Sequence, residues 1–200
     1  MGLLHRRWRD LRRPCHHPRM QPIYLVVGSP SAGKSTTSRA LAATFGRSIH
    51  VPVDDLRHMV VSGLALPGPD WSEELVHQVA LARDTAIRMA IAYADAGFCV
   101  VLDDFYDPGG LAGYEALLRR PVTHGIVLYP TPEEARRRNA TRNGGKGDAY
   151  TDEAITHSYS MLSPAIARLT AEGWLVLDTT GLDVEASVMA ILEHAGRRPG

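Results

Sequence analysis

The nine residues GSPSAGKST, Gly28 to Thr36, constrain this chain more than any other stretch. They fit the pattern G-x-x-x-x-G-K-[ST] at Gly28, Gly33, Lys34 and Ser35. The apolar run Ile23 to Val27 precedes them and reads as a buried strand. A helical pattern over Lys34 to Phe45 follows, with Leu41 and Phe45 on one face. A strand, a glycine loop and a helix start are the parts that wrap a phosphate. Glycines let the backbone pass close, so that its N–H groups point inward. The helix start adds a positive dipole end. The expected nucleotide contacts are Gly28, Ser31, Ala32, Gly33, Lys34, Ser35 and Thr36. Lys34 is expected to reach the β- and γ-phosphates of ATP, and Ser35 to coordinate Mg²⁺. The alternative is a glycine turn with a chance lysine, and it leaves the flanking strand and helix unaccounted for.

The rest of the chain alternates strand and helix signals. "SIHVPVDDL" reads as a second strand ending at Asp54 and Asp55, "FCVVLDDF" as a third, "GIVLYP" as a fourth and "WLVLDTT" as a fifth. Between them the pattern predicts a helix over Ser72 to Ala96, with Ser72 as cap and Glu73 and Glu74 at its positive end. "TPEE" predicts another, with Thr131 as cap, Pro132 in the first turn and Glu134 closing a capping box. Thr151 to Ala171 reads as helical with an interruption at Pro164, and Val184 to His194 as the last helix. The expectation is an α/β P-loop NTPase fold, a five-stranded parallel sheet with helices on both faces and a small helical lid around residues 136–150.

Several polar groups then fall at strand ends, where open α/β sheets bind ligands. The apolar strand that delivers Asp103 is a Walker B pattern, and Asp103 is expected to hold Mg²⁺. Asp103 and Asp104 point to opposite faces, so one of them can be purely structural. Of Asp54 and Asp55, Asp55 suits a helix cap. Asp54 is better placed to accept a proton from a substrate hydroxyl as it attacks phosphorus, although both could act as caps. Arg138 and Arg142 lie four apart on one helix face, ahead of glycines 144, 145 and 147. Arginines on a hinged flap neutralise charge during transfer; a solvated basic face is the other reading. Thr179, Thr180 and Gly181 follow the fifth strand, and Thr180 is an expected adenine contact. His50, His77, His124 and His157 lack ligand spacing and read as structural.

Charge divides the chain at Gln21. The segment before it holds six arginines and one aspartate, about +5, against about −5 for the remainder. Residues 1–21 read as a basic tail: disordered, or upstream of a working start at Met20, or an arm for a partner. Cys15, His16 and His17 lack a second ligand pair, so no metal site is expected there. A domain near −5 is a poor binder of nucleic-acid phosphates, so a nucleic-acid partner is not expected. No apolar run has the length of a membrane helix. Cys15 and Cys99 provide no disulfide framework, which points to a reducing, cytoplasmic setting.

The set "GSPSAGKST", "VDDLR", "VVLDDF" and "RRRNATR" resembles the P-loop small-molecule kinases, especially the chloramphenicol phosphotransferase-like and zeta-toxin-like kinases, over Ile23 to about Leu192. The resemblance implies transfer of the γ-phosphoryl group of Mg·ATP to a small-molecule hydroxyl, on an antibiotic, nucleoside or sugar-like acceptor. The acidic segment Val53 to Leu56 is the feature most similar to chloramphenicol phosphotransferase, where the equivalent aspartate is the base, and it points to Asp54. Lys34, Arg138 and Arg142 would complete the catalytic set. The same superfamily also holds polynucleotide and nucleotide-sugar kinases. A nucleotide-dependent switch or plain ATPase, with Asp103 activating water, is the reading from another class.

Overall fold

Strand β1 (Ile23–Gly28) runs through the middle of the molecule, and Ile23 to Val27 are fully buried. A strand buried on both faces needs a neighbour on each edge and a helical layer on each side. β1 pairs in parallel with β3 (Cys99–Phe105) and with β4 (Thr123–Leu128). β2 (Ser48–Pro52) adds beyond β3, and β5 (Leu175–Leu177) beyond β4. The order β2-β3-β1-β4-β5, parallel throughout, is the five-stranded sheet expected from the alternating pattern. The structure is a computed structural model and describes residues 20–67, 71–142 and 149–196. The tail before Met20 and the glycines 144, 145 and 147, where a hinge is expected from the sequence, lie outside the described residues.

Side-chain alternation along β1 divides the core into two layers. Ile23, Leu25 and Val27 pack with Ala82, Ala86 and Ala90 of helix α3 (Glu73–Asp95), and with Leu162, Leu169 and Trp174. Tyr24 and Val26 pack on the other face with Leu41 and Ala42 of α1 (Lys34–Ala43), and with Val188, Ile191 and Leu192 of α9 (Val184–His194). Cys99 lies in this second layer as a buried free thiol.

Local signals set most element ends. Ser72 Oγ accepts from Leu75 N at 3.1 Å and caps α3. Asp183 caps α9 through Ala186 N. The long helical pattern after residue 150 breaks as expected: α7 (Ala149–Leu162) gives way to one 3₁₀ turn, Ser163–Ala165, at Pro164, and α8 (Ile166–Ala171) resumes. Between β3 and β4 run two four-residue helices, α4 (Pro108–Leu111) and α5 (Glu115–Leu118).

Two expectations are corrected. Asp54 and Asp55 do not end a strand. They occupy the first turn of a short helix, α2 (Val53–His58), whose N-cap is Pro52. Proline brings no N–H to the ladder, and two carboxylates favour the positive end of a helix. The capping box at α6 (Pro132–Arg142) is half formed. Thr131 Oγ1 accepts from Glu134 N at 3.3 Å, but the Thr131 N–H donates to Thr180 Oγ1 at 2.8 Å. Glu134 turns instead to Arg137 and Arg138. Helices α6 and α7 form their own small apolar contact, Ala135 with Ile155 and Tyr159.

Candidate active site

The loop between β1 and α1 is shaped by backbone that side chains resist. Ser31 has φ 58° and Gly33 φ 97°, so the chain turns through the left-handed region twice within three residues. A Cβ on Gly28 would lie 2.5 Å from the Leu128 carbonyl oxygen. Helix α1 starts with no side chain capping it, which leaves its positive end to an outside acceptor. Ser31 Oγ is buried beside this opening, without a hydrogen-bond partner among the described residues. A phosphate supplies the acceptor atoms that such a loop lacks.

A cavity of about 320 Å³ opens over the loop. Ser31, Gly33, Lys34, Ser35 and Thr36 form its floor. Gly28 and Ala32 shape the loop from beneath, and Ala32 is buried. Lys34 Nζ donates to the Ser29 carbonyl at 3.0 Å. Burial pushes the Lys34 ammonium below the usual lysine range, while the Asp103, Asp54 and Asp104 carboxylates pull it back up. The half-buried Lys34 amine faces the cavity, where the oxygens of a bound anion can accept its remaining hydrogen bonds.

The β3 edge supplies the next wall. Asp103 pairs in register with Val26 and with Pro52, which sets it beside the loop and just before Asp54. Ser35 Oγ donates to Asp103 Oδ1 at 3.1 Å, across 68 residues of sequence. Two oxygen ligands converging beside a phosphate loop fit Mg²⁺, which keeps waters and substrate oxygens as its other ligands. The second carboxylate oxygen, Oδ2, pairs with His50 Nε2. His50 was expected to be merely structural, and its spacing in the sequence carries no sign of this contact. Asp104 faces away from the cavity. Arg83 Nε donates to its Oδ2 at 2.6 Å and Tyr114 Oη at 2.8 Å. The adjacent aspartates are thus divided between the cavity and the interior. Asp54 lines the cavity, and Asp55 does not.

The lid arginines are also divided. Arg142 lines the cavity together with Asn139 and Thr151. Arg138, expected beside it, has its guanidinium turned to the sheet. Nη1 donates to Ala32 O at 3.0 Å and Nη2 to Thr179 O at 2.6 Å, while Nε pairs with Glu134 Oε1 at 2.8 Å. Thr180 does not line the cavity either. Its hydroxyl donates to Asp178 at 2.6 Å and accepts from Thr131 N. Sequence reading missed Asn139, whose amide donates to Asp152 at 3.1 Å and ties α6 to α7. Its burial follows from the packing of α6 on α7, and the sequence carried no sign of it.

Hydrogen bonds from Arg137, and then the Arg138 guanidinium, hold the Glu134 carboxyl down at about 2, against 4.5 when free. A folded-state value below the unfolded one stabilises the fold above pH 4.5. That contribution fades as pH falls towards 2. Glu134→Gln is therefore expected to flatten the acid limb of the stability curve between those values, measured by denaturant titration at each pH.

The architecture and the loop define a class: a P-loop α/β fold whose nucleotide-type loop opens on a cavity at the C-terminal edge of a parallel sheet. Within that class, the AAA domain family model matches residues 23–160, well over half of the sequence, and the chain belongs to that family. Solved structures share the fold. Shikimate kinase from Acinetobacter baumannii, in complex with shikimate, superposes with a TM-score of 0.62 at 16% identity, over 86% of this chain and 92% of that one. A gluconokinase from Sinorhizobium meliloti 1021 gives 0.62 at 14% identity, over 89% and 93%. The Deinococcus radiodurans tunicamycin resistance protein gives 0.57 at 16%, over 89% and 97%. No curated protein matches the sequence. Among the described residues no helix is long and apolar enough to cross a membrane.

Proposed function

We propose that this protein is an ATP-dependent phosphotransferase that moves the γ-phosphoryl group of ATP to a hydroxyl of a small molecule. One observation carries the reading: Lys34, Ser35, Asp103, Asp54 and Arg142 line a single cavity. The loop amides and Lys34 bind the phosphates. Ser35 and Asp103 would hold Mg²⁺, which when bound neutralises charge on the phosphate oxygens. Asp54 takes the proton from the acceptor hydroxyl as that oxygen bonds to phosphorus and the bond to the ADP oxygen breaks. Arg142 offers a planar two-donor fork to the equatorial oxygens of the transferring group. Arg138 acts at a distance, by pinning the loop carbonyl of Ala32 to Thr179, just past β5.

Two of the fold relatives carry small-molecule kinase names, shikimate kinase and gluconokinase, which supports an acceptor of that size. The "VDDLR" segment supports a place near the chloramphenicol phosphotransferase-like and zeta-toxin-like kinases. The test is ADP release with and without a panel of antibiotics, nucleosides and sugars. Acceptor-dependent release with a phosphorylated product is expected. Release that is indifferent to every acceptor would make the protein an ATPase or switch.

The division of the arginines has its own expected result. Arg142→Ala should lower turnover at least about tenfold with little change in ATP affinity, because its contact is made in the transition state. Arg138→Ala should instead weaken ATP binding and lower the melting temperature. Steady-state turnover, ATP dissociation constants and thermal melts of both variants check this.

A further inference from the structure

Each carboxylate oxygen of Asp103 has its own donor, and the two donors come from different elements. Ser35 Oγ of α1 donates to Oδ1 at 3.1 Å, and His50 Nε2 of β2 pairs with Oδ2. An ionised carboxylate only accepts, so the imidazole is the donor in the second contact. His50 is not one of the residues that line the cavity. Its link to the site runs through Asp103.

We infer that His50 is a positioning residue: it fixes the plane of the Asp103 carboxylate so that Asp103 and Ser35 receive a divalent cation together. The inference rests on the reading of those two residues as the Mg²⁺ ligands of the phosphotransferase.

The sheet register selects His50 for this contact. β2 and β3 run parallel, with Ser48 beside Cys99, His50 beside Val101 and Pro52 beside Asp103. Side chains alternate along a strand, so Ser48, His50 and Pro52 share a face with Val101 and Asp103. That face is the one covered by α1. Val101 packs in the layer of Leu41 and Ala42, and Ser48 Oγ donates to Ala42 O at 2.6 Å. Pro52 is level with Asp103 but brings no side-chain donor. His50, two residues back on the same face, has one, and its ring spans the difference. On the other face of β3, Asp104 is held by Arg83 and Tyr114, so it cannot stand in for Asp103.

Two donors do what one cannot. The torsion that turns a carboxylate about its last C–C bond is broad. Held by Ser35 alone, the Asp103 carboxylate would swing about that single contact. A second donor on the other oxygen removes this freedom before a cation arrives, and such outer contacts orient metal ligands. With its own proton on Asp103, the Ser35 hydroxyl keeps its lone pairs for the cation. An apolar side chain at position 50 would fill the same space. It would also leave Oδ2 without its donor, on a side chain only 6% exposed.

The experiment uses the full chain and β,γ-imido-ATP, whose terminal bond resists transfer. Its binding is measured by calorimetry in saturating Mg²⁺ and again in EDTA. The ratio of the two dissociation constants reports what the cation adds. Two amide variants separate reach from polarity. His50→Gln carries an N–H about as far from the backbone as Nε2, and His50→Asn ends short of Asp103. In His50→Asn the ratio is expected to fall about tenfold, or to unity where the parent ratio is smaller, with the EDTA constant within about twofold of the parent. His50→Gln is expected to stay within about threefold of the parent ratio. His50→Ala, a second variant without reach, is expected to follow His50→Asn. The inference is overturned if the Gln and Asn variants change the ratio alike, or if both short variants keep the parent ratio. It is equally overturned if their loss is as large in EDTA, which would mark a general distortion of the loop, or if Mg²⁺ adds nothing to binding by the parent chain. A split between the variants with no acceptor phosphorylated would support the inference and count against the phosphotransferase reading. Acceptor phosphorylation by a His50→Asn chain that keeps the parent ratio would do the reverse.

Discussion

Asp54→Asn lowers phosphate transfer by about 10²- to 10⁴-fold while ATP affinity stays within a few-fold: that is the expected result of removing the base. The substitution keeps the shape of the side chain and removes its ability to take a proton. Asp54 is exposed in the first turn of α2, so the fold has little stake in its charge. It lines the cavity, whereas Asp55 in the same turn does not, and Asp55→Asn should therefore leave transfer nearly unchanged. If Asp55→Asn abolishes transfer and Asp54→Asn does not, the base has been assigned one residue away from its true position.

The second large effect is expected at Lys34. Lys34→Ala should cost about 10²- to 10³-fold in turnover, the scale of losing one preorganised donor to developing charge. Unlike the aspartate change, it should also weaken ATP binding. The side chain is half-buried, its amine donates to the Ser29 carbonyl, and desolvation pushes its ammonium below the usual lysine range in the free protein. Phosphate oxygens would restore what burial removes, so binding and transfer both depend on it. Removing a poorly solvated ammonium should leave the melting temperature of the free protein unchanged or higher. Turnover, ATP dissociation constants and thermal melts of Lys34→Ala test all three statements. Parent-like turnover would show that the loop is not the site of transfer.

Much of this protein is readable in order along the chain. The glycine loop, the caps at Ser72 and Thr131, and the break at Pro164 are all short-range effects, acting within three or four residues. So is the continuous apolar run of a strand buried on both faces. That is why the α/β class and the starts of the longer helices could be stated from the sequence, whereas the short helices α2, α4 and α5 could not. Asp103 was legible too, since a strand delivers its last residues to the sheet edge.

What the tertiary structure alone decided are contacts that span the sheet. Whether Asp103 or Asp104 meets Ser35 depends on which face of β3 turns to the loop, and the partner is 68 residues away. Whether Arg138 or Arg142 enters the cavity depends on where the segment after β5 meets α6, at Thr179, and Arg138 meets Ala32 across 106 residues. The same holds for His50 against Asp103, and for Trp174 lying flat over Gly125, where a Cβ would meet its ring at 2.3 Å. Side-chain spacing on one helix or strand specifies a face. Only the order β2-β3-β1-β4-β5 specifies what that face meets.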